Sequence, residues 1–374
     1  MEDIQSTGNG TGRWDDLRPI LGISVGDPGG IGPEITVRAL ALEEVYSICR
    51  PLVISDAAVA RDALRVTGLS LEIHQVASPR EGLYKLGTVD VLHVPNMPAE
   101  EIRYGQVNPK QGQASFECVE KVIRLALAGE IQGTVTGPIN KEALNAAGYH
   151  FAGHTEIYSH MTSTSDYAMM LAHGDFRVVH VSTHLALREA CERVKKARVL
   201  RVIELAHEAL VRLGIGSPRI GVAALNPHAG EGGLFGREES EEISPAIRAA
   251  REKGMAVEGP VPADTVFSKM RGGIYDAVVV MYHDQGHIPI KLLGFKYDQA
   301  AGVWTEVSGV NVTLGLPIVR TSVDHGTAFG KAGKGLANPQ SMIEAIKMAA
   351  VLSRKSDFLR HGSARLPQTP QDLT

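Results

Sequence analysis

The sequence predicts an α/β layered architecture built on a largely parallel sheet. Short apolar, β-branched runs alternate with longer amphipathic stretches along most of the chain, the pattern of strand–helix–strand units. The 374 residues are 44% hydrophobic and 21% charged, an ordinary globular composition. That length exceeds the usual limit for a single core, so two domains, or one large unit with a deep cleft, are expected.

The elements follow in chain order. LGISV (21–25) reads as the first strand, and a helix over roughly 32–46 follows it, with Pro33 suited to the first turn. PLVIS (51–55) is the next strand, followed by a helix at 57–67. LEIHQV (71–76) and VDVLHV (89–94) are strand candidates because they are short, β-branched and flanked by turn formers. A helix is expected at 112–128, then strands at GTVTG (133–137), YAMMLA (167–172) and RVVHVS (177–182). The clearest helix covers 193–213, where Val199, Val202, Ile203, Leu205, Ala206, Leu210 and Leu213 make a broad apolar face. RIGVAAL (219–225), a helix at 237–253, DAVVVMY (276–282) and a helix at 339–354 complete the series. Residues 292–310 keep neither period and read as a surface excursion. The leader (1–16) and the tail (361–374) offer little to bury and read as flexible.

Composition removes several function classes. Lys+Arg 38 against Asp+Glu 42 gives a net charge of -4 without a basic stripe, so nucleic acid is not an expected partner. Cys49, Cys118 and Cys191 stand far apart with no CxxC spacing. That argues for a reducing compartment and against a disulfide framework or a cysteine zinc site. The first residues lack the apolar core of a secretory signal, and no apolar run approaches the roughly 18 residues of a membrane span. The cytoplasm is the expected location.

Ligands of open α/β sheets collect beyond the carboxyl ends of strands. Polar, Gly- and Pro-rich clusters follow strand after strand here: GDPGGIGPE (26–34), GPINK (137–141), THLALR (183–188), NPHAGEGGLFG (226–236) and HDQGHIPIK (283–291). Eleven of the 14 histidines lie between His150 and His325, which selects none of them. Position is more selective, because His184, His228 and His283 each stand just past an apolar strand. They read either as ligands of a divalent ion such as Zn, Co, Ni or Mn, or as hydrogen-bonded loop residues. GDPGGIGPE reads either as an anion cradle or as a tight strand-to-helix turn. His325-GTAFGKAGKG misses the P-loop spacing and lacks Ser or Thr after Lys331, which speaks against a nucleotide hydrolase. In GHTE, His154 and Thr155 stand at a helix start. Lys291, Asn311 and Arg320 are surface residues if taken singly and a phosphate clamp if they converge.

Taken together, GDPGGIGPE, TGPINKEALNAAGYHFAGHTE, STHLALRE, NPHAGEGGLFGREE, GPVPADTVF, MYHDQGHIPIK and GVNVTLGLPIVRTSVDHGTA resemble the 4-hydroxythreonine-4-phosphate dehydrogenase family. They stand in the family's order from Gly26 to Ala328. VVHVSTHLALR and YHDQGHIPIKLLGF look closer to its D-threonate/D-erythronate 4-phosphate dehydrogenase branch. The resemblance implies two α/β/α domains around a central cleft, isocitrate/isopropylmalate dehydrogenase-like in fold. The first would cover 17–135 plus 311–360 and the second 136–310. It implies NAD, with NADP as the alternative, and one divalent ion (Zn, Co, Mn, Ni or Mg) on His184, His228 and His283. That ion would be shared between the subunits of a homodimer. Substrate contacts would fall to His154, Thr155, Lys291, Asn311 and Arg320, and the proton steps to Asp264 and Lys291.

The implied activity is oxidation of the secondary alcohol of a four-carbon hydroxy-acid 4-phosphate, followed by decarboxylation to a ketone phosphate. The family's fold binds NAD without a GxGxxG fingerprint, so the lack of one here is no argument against the cofactor. The chain departs from the family at Phe329, Gly330 and Lys331, where an acid is missing and a cation stands instead, and over 292–310. Three alternatives stay open: the biosynthetic amino substrate, a dihydrodiol of an aromatic ring acid, and a sugar-acid-phosphate binding protein without catalysis.

Overall fold

Twelve strands form one continuous sheet in a computed structural model that describes residues 16–299 and 303–354. In chain order the first half comprises β1 (Ile20–Ser24), α1 (Gly32–Ala39), α2 (Glu43–Ile48), β2 (Arg50–Ser55), α3 (Ala57–Thr67), β3 (Glu72–Val76), β4 (Thr88–His93), α4 (Pro109–Leu127), β5 (Gly133–Thr136), α5 (Lys141–Ala146) and α6 (His154–Met161). Next come β6 (Ala168–His173), β7 (Phe176–His180), α7 (Leu187–Glu192), α8 (Lys196–Arg212), β8 (Arg219–Ala223), α9 (Ser244–Glu252), β9 (Ala256–Val261), α10 (Ala263–Arg271), β10 (Ala277–Val280) and α11 (His283–Gly294). A hairpin of β11 (Phe295–Asp298) and β12 (Val303–Val307) leads to β13 (Val310–Leu314), β14 (Arg320–Val323) and α12 (Gln340–Arg354).

The strand order is β3-β4-β2-β1-β5-β14-β13-β6-β7-β10-β8-β9. From β3 to β14 every pairing is parallel, and so is every pairing from β7 to β9. Three antiparallel pairings, β14–β13, β13–β6 and β6–β7, join the two blocks. The blocks therefore run in opposite directions, and the joint between them is where the layered pattern changes. This bears out the α/β class.

Leu21, Ile23, Val53, Val91 and Val135 of the first block are buried, as are Val179, Val222, Val279 and Ala277 of the second. Both faces of these strands are covered by helices, which explains why they read as continuous apolar runs. Helix α8 buries the predicted face, from Val199 to Leu210. Helix α12 returns the chain to the first half, packing on β14, β5 and α1. Helices α5 and α6, which the domain expectation places in the second unit, pack on α4 instead. They share its apolar cluster through Leu144, Ile157 and Tyr158.

Several boundaries differ from expectation. The helix expected at 32–46 is two helices, separated at 40–42, and the one expected at 193–213 begins only at Lys196, after α7 has ended at Glu192. HDQGHIPIK, read as a loop, is the body of α11. Its inner face carries Gln285, Gly286 and His287 in place of an apolar stripe, so periodicity could not reveal it. Residues 292–310, read as an excursion without period, hold the end of α11, the β11–β12 hairpin and the start of β13. Residues 1–15 of the expected leader and the tail 361–374 lie outside the described residues.

GDPGGIGPE proves to be a packed turn. Its residues from Gly26 to Glu34 are buried, and a Cβ on Gly32 would lie 1.9 Å from the Val25 carbonyl oxygen. Asp27 holds the turn by accepting from the Gly29 amide at 2.8 Å, while its Oδ2 has no partner. Burial pushes its carboxyl up to about 6, opposed by that amide. A carboxyl raised by folding favours the protonated state, so its contribution is fully present below about 4 and disappears as pH rises through about 6. Asp27→Asn should therefore flatten the stability profile. Its unfolding free energy relative to wild type is expected to rise by up to about 3 kcal/mol between pH 4 and 7, measured by urea denaturation; parallel curves would contradict this.

Candidate functional site

The loops leaving both parallel blocks meet over the antiparallel joint and enclose a cleft of about 570 Å³. Its walls come from the segment after β5 (Thr136–Ile139), Lys141 of α5, the start of α6 and His184 beyond β7. His283, His287 and Lys291 of α11, Asn311 of β13 and the stretch from Arg320 to Gly326 close it. The site thus lies where strand ends and a change of strand direction predict a ligand crevice.

Arg320 dominates the cleft electrostatically. It is 3% exposed, and its guanidinium donates to three hydroxyls: Thr313 Oγ1 at 2.8 Å, Thr136 Oγ1 at 3.2 Å and Thr155 Oγ1 at 3.4 Å. It also lies 5.6 Å from the centre of the Tyr158 ring. Tyr158 in turn is fully buried and donates to Thr134. Among the described residues no carboxylate forms an ion pair with Arg320, and its Nε has no partner. Burial pushes its pKa down to about 10. A buried cation that donates only to neutral hydroxyls, with Glu156 acting on it without pairing, keeps charge free for an anion.

His154 and Thr155 form the first turn of α6, whose free backbone amides also face anions favourably. The Nε2 of His154 is buried without a partner, and burial, then Arg320 and Lys141, hold the ring well below its ordinary pKa. Asn311 donates to the Met169 sulfur at 3.1 Å, leaving its buried Oδ1 without a partner. Lys291 stands 5.3 Å from the Phe295 ring centre. His154, Thr155, Lys291, Asn311 and Arg320 therefore do line one cleft.

The three expected metal histidines do not all gather. His184 and His283 face each other across 5.5 Å between ring centres. His283 Nδ1 lies 2.6 Å from the Asp284 carboxylate. A carboxylate accepts, so Nδ1 carries the hydrogen and Nε2 is bare, the arrangement that suits a metal ligand. Partial burial, then Lys141 and His283, lower the pKa of His184 and favour the neutral, ligating form. These two imidazoles fit a divalent ion.

His228 is elsewhere, on an exposed loop where it takes a left-handed conformation (φ 51°) beside Ala229 and Glu231, which do the same. Asp264, expected near the reacting centre, is exposed at the start of α10 and outside the cleft. Helix α10 packs against the His228 loop, so these two outliers share one region. Among the described residues no three His, Cys, Asp or Glu side chains gather into a metal site.

The cleft also holds residues that sequence reasoning passed over. Asp324 has an unpartnered, buried Oδ2, and burial pushes its carboxyl up to about 6 against the opposing charges of Lys291 and His283. Lys141, Glu156, His287 and His325 line the same space. Lys141 and His287 had one visible signal, a place in clusters that follow apolar runs, whereas Glu156 stands in GHTE and His325 opens the glycine-rich 325–335 segment.

A family model described as pyridoxal phosphate biosynthetic protein PdxA matches residues 47–349. The D-threonate 4-phosphate dehydrogenase of Cupriavidus necator is 44% identical over 341 residues, covering 91% of this chain and 99% of its own. The 4-hydroxythreonine-4-phosphate dehydrogenase of Desulfosudis oleivorans is 49% identical over 334 residues, covering 89% and 95%. Among solved structures, 4-hydroxythreonine-4-phosphate dehydrogenase from Klebsiella pneumoniae superimposes with a TM-score of 0.78 at 40% identity. That match covers 90% of this chain and 99% of the other.

The anion reading of Arg320 has a test that needs no substrate. Inorganic phosphate at about 100 times its Kd should stabilise the wild-type protein by about 2.7 kcal/mol. Arg320→Met should be at least as stable in plain buffer, because an uncompensated buried charge is gone, yet show no rise in thermal midpoint with phosphate. An equal rise in both proteins would exclude Arg320 as the anion site.

Proposed function

The chain belongs to the PdxA family, and from that premise we propose that this dehydrogenase acts on the secondary alcohol of D-threonate 4-phosphate or D-erythronate 4-phosphate. NAD, or NADP, would accept the hydride, and loss of CO₂ would leave a ketone phosphate. The observation that carries this reading is the cleft itself, where the buried Arg320 cation and Lys291 stand with two imidazoles suited to a metal.

On this reading Arg320, Thr155 and His154 bind the phosphate at the start of α6. Lys291 and Asn311 hold the acid end and the hydroxyls. What a divalent cation on His184, His283 and His228 would supply is Lewis acidity toward the substrate oxygens. A nicotinamide cofactor bound beside the alcohol would supply the hydride acceptor; Asp264 takes the hydroxyl proton, and Lys291, an ammonium, serves as proton donor. The resulting β-keto acid breaks its bond to the carboxyl carbon, releasing CO₂, and the enolate left behind takes a proton to become the ketone. Lys291, positioned in the cleft wall, is the residue of this chain best placed to return that proton.

His228 and Asp264 complete the constellation only if a second copy supplies them, so we propose a homodimer with the metal site shared between subunits. Three features support it. His228 and Asp264 lie together outside this chain's cleft. The His228 loop exposes Leu234 at 72% and Phe235 at 47%. Ile288 and Leu292, four apart on α11 and on the same helix as His283, are 65% and 81% exposed. A self-complementary patch of this kind is what a twofold dimer buries. Among the described residues no helix is long and apolar enough to cross a membrane.

A second reading, oxidation of 4-hydroxythreonine 4-phosphate, is favoured by the relatives of comparable identity that bear that name. A substrate panel separates the two. With a divalent metal present, NADH or NADPH formation is expected with the hydroxy acids at a kcat/KM about tenfold or more above the amino acid. His283→Ala should lose about 100-fold or more in kcat/KM. Turnover of the amino substrate alone would establish the second reading, and no turnover of either would remove both.

A further inference from the structure

Four imidazoles run in file from the core to the cleft. His180, on β7, is fully buried; its ring centre lies 4.9 Å from that of His287. His287 stacks on His283 at 3.6 Å with an interplanar angle of 13°, and His283 faces His184. His184 and His283 have a use in the reaction proposed above, whereas His180 and His287 have none so far.

Hydrogen-bond direction fixes both inner rings. The Nδ1 of His287 lies 3.0 Å from the carbonyl oxygen of His283, and the Nδ1 of His180 lies 3.2 Å from that of Met169. A carbonyl only accepts, so each Nδ1 carries the hydrogen and each Nε2 must find its own partner. The Nε2 of His180 is buried and has none. Its ring fits a notch that only glycine leaves, since a Cβ on Gly286 would lie 2.6 Å from that Nε2. His180 is thereby wedged under the first turns of α11, directly behind His287. His283, His287 and Lys291 are spaced by four residues, and all three line the cleft. One helix face therefore presents imidazole, imidazole and ammonium in a row.

We infer that His287 is a specificity-determining residue that contacts a hydroxyl of the substrate, and that His180 is the positioning residue that holds its ring. The inference rests on the hydroxy-acid reading above. The bare Nε2 of His287 only accepts, and a substrate hydroxyl donates to it. An ammonium could donate as well, but it would stand one helical turn from the Lys291 cation, a like-charge cost that a hydroxyl avoids. The pair selects a hydroxy acid over its amino counterpart.

The test is the ratio of kcat/KM for D-threonate or D-erythronate 4-phosphate to that for 4-hydroxythreonine 4-phosphate, at saturating divalent metal. His287→Leu, close in volume, should lower this ratio about tenfold or more, through a higher KM for the hydroxy acid. His287→Gln retains a side chain that can donate and accept, and should restore part of it. His180→Leu should produce a similar loss, and the double variant no further loss, because the two residues act as one unit. Calorimetric affinities for both phosphates report the same ratio for any variant too slow to assay. An unchanged ratio in His287→Leu, or equal losses in the Leu and Gln variants, overturns the role of His287. Additive losses in the double variant overturn that of His180. If the wild-type protein turns over neither hydroxy acid, the parent reading fails and takes this inference with it; turnover with an unchanged ratio defeats the inference alone.

Discussion

A single buried guanidinium organises the cleft. Arg320 enters from β14 at the edge of the first parallel block and donates only to threonine hydroxyls, with the Tyr158 ring beside it and no ion-pair partner among the described residues. Taking a cation out of water costs several kcal/mol, and neutral hydroxyls recover only part of that. The remainder is an affinity for anions that the fold maintains at its own expense. The neighbours fit that constraint. The first turn of α6 faces the same space, His154 is kept neutral, and the nearby carboxyl of Asp324 is pushed toward its protonated form. A carboxylate paired with Arg320 would have stabilised the fold and closed the site.

The sheet explains why such a cleft exists. The two parallel blocks run in opposite directions and are joined through β13 and β6 by antiparallel ladders. The loops of both blocks then converge over that joint. The proposed dimer extends the same logic, because the His228 loop and α10 project from the second block away from the cleft of their own chain. On the proposed reading each chain holds substrate with one region and completes a neighbour's metal site with another.

Much of this was legible in the sequence. Parallel strands such as β1, β2 and β10 are buried and announce themselves as apolar runs, whereas β9 and β14, which carry Glu258 and Arg320, Thr321 and Ser322, do not and were not expected. His184 and His283 follow two of them, and Lys291, Asn311 and Arg320 proved to share one cleft. Less legible was anything whose meaning depends on a second element. α11 was invisible to periodicity because its inner face serves the cleft and not the core, so Gly286 and His287 stand where leucines would normally signal a helix. Asp324 looked like one acid among many until burial removed its solvent. GDPGGIGPE had two readings that only packing could separate, and the contact beneath Gly32 decides for the turn. His228 shows the reverse limit, since its strand-end position was read correctly while a single chain leaves it remote from His184 and His283.

Whether the cleft of one chain is completed by His228 of another separates a shared metal site from a self-contained one. Mixing two inactive variants, His228→Ala and His283→Ala, by joint refolding or co-expression and measuring turnover per site decides it. A shared site predicts recovery, because each mixed dimer carries one intact site and one doubly defective site, giving about a quarter of wild-type activity at equal proportions. No recovery, from chains shown to form mixed dimers, would place all the ligands within one chain and rule out the shared site.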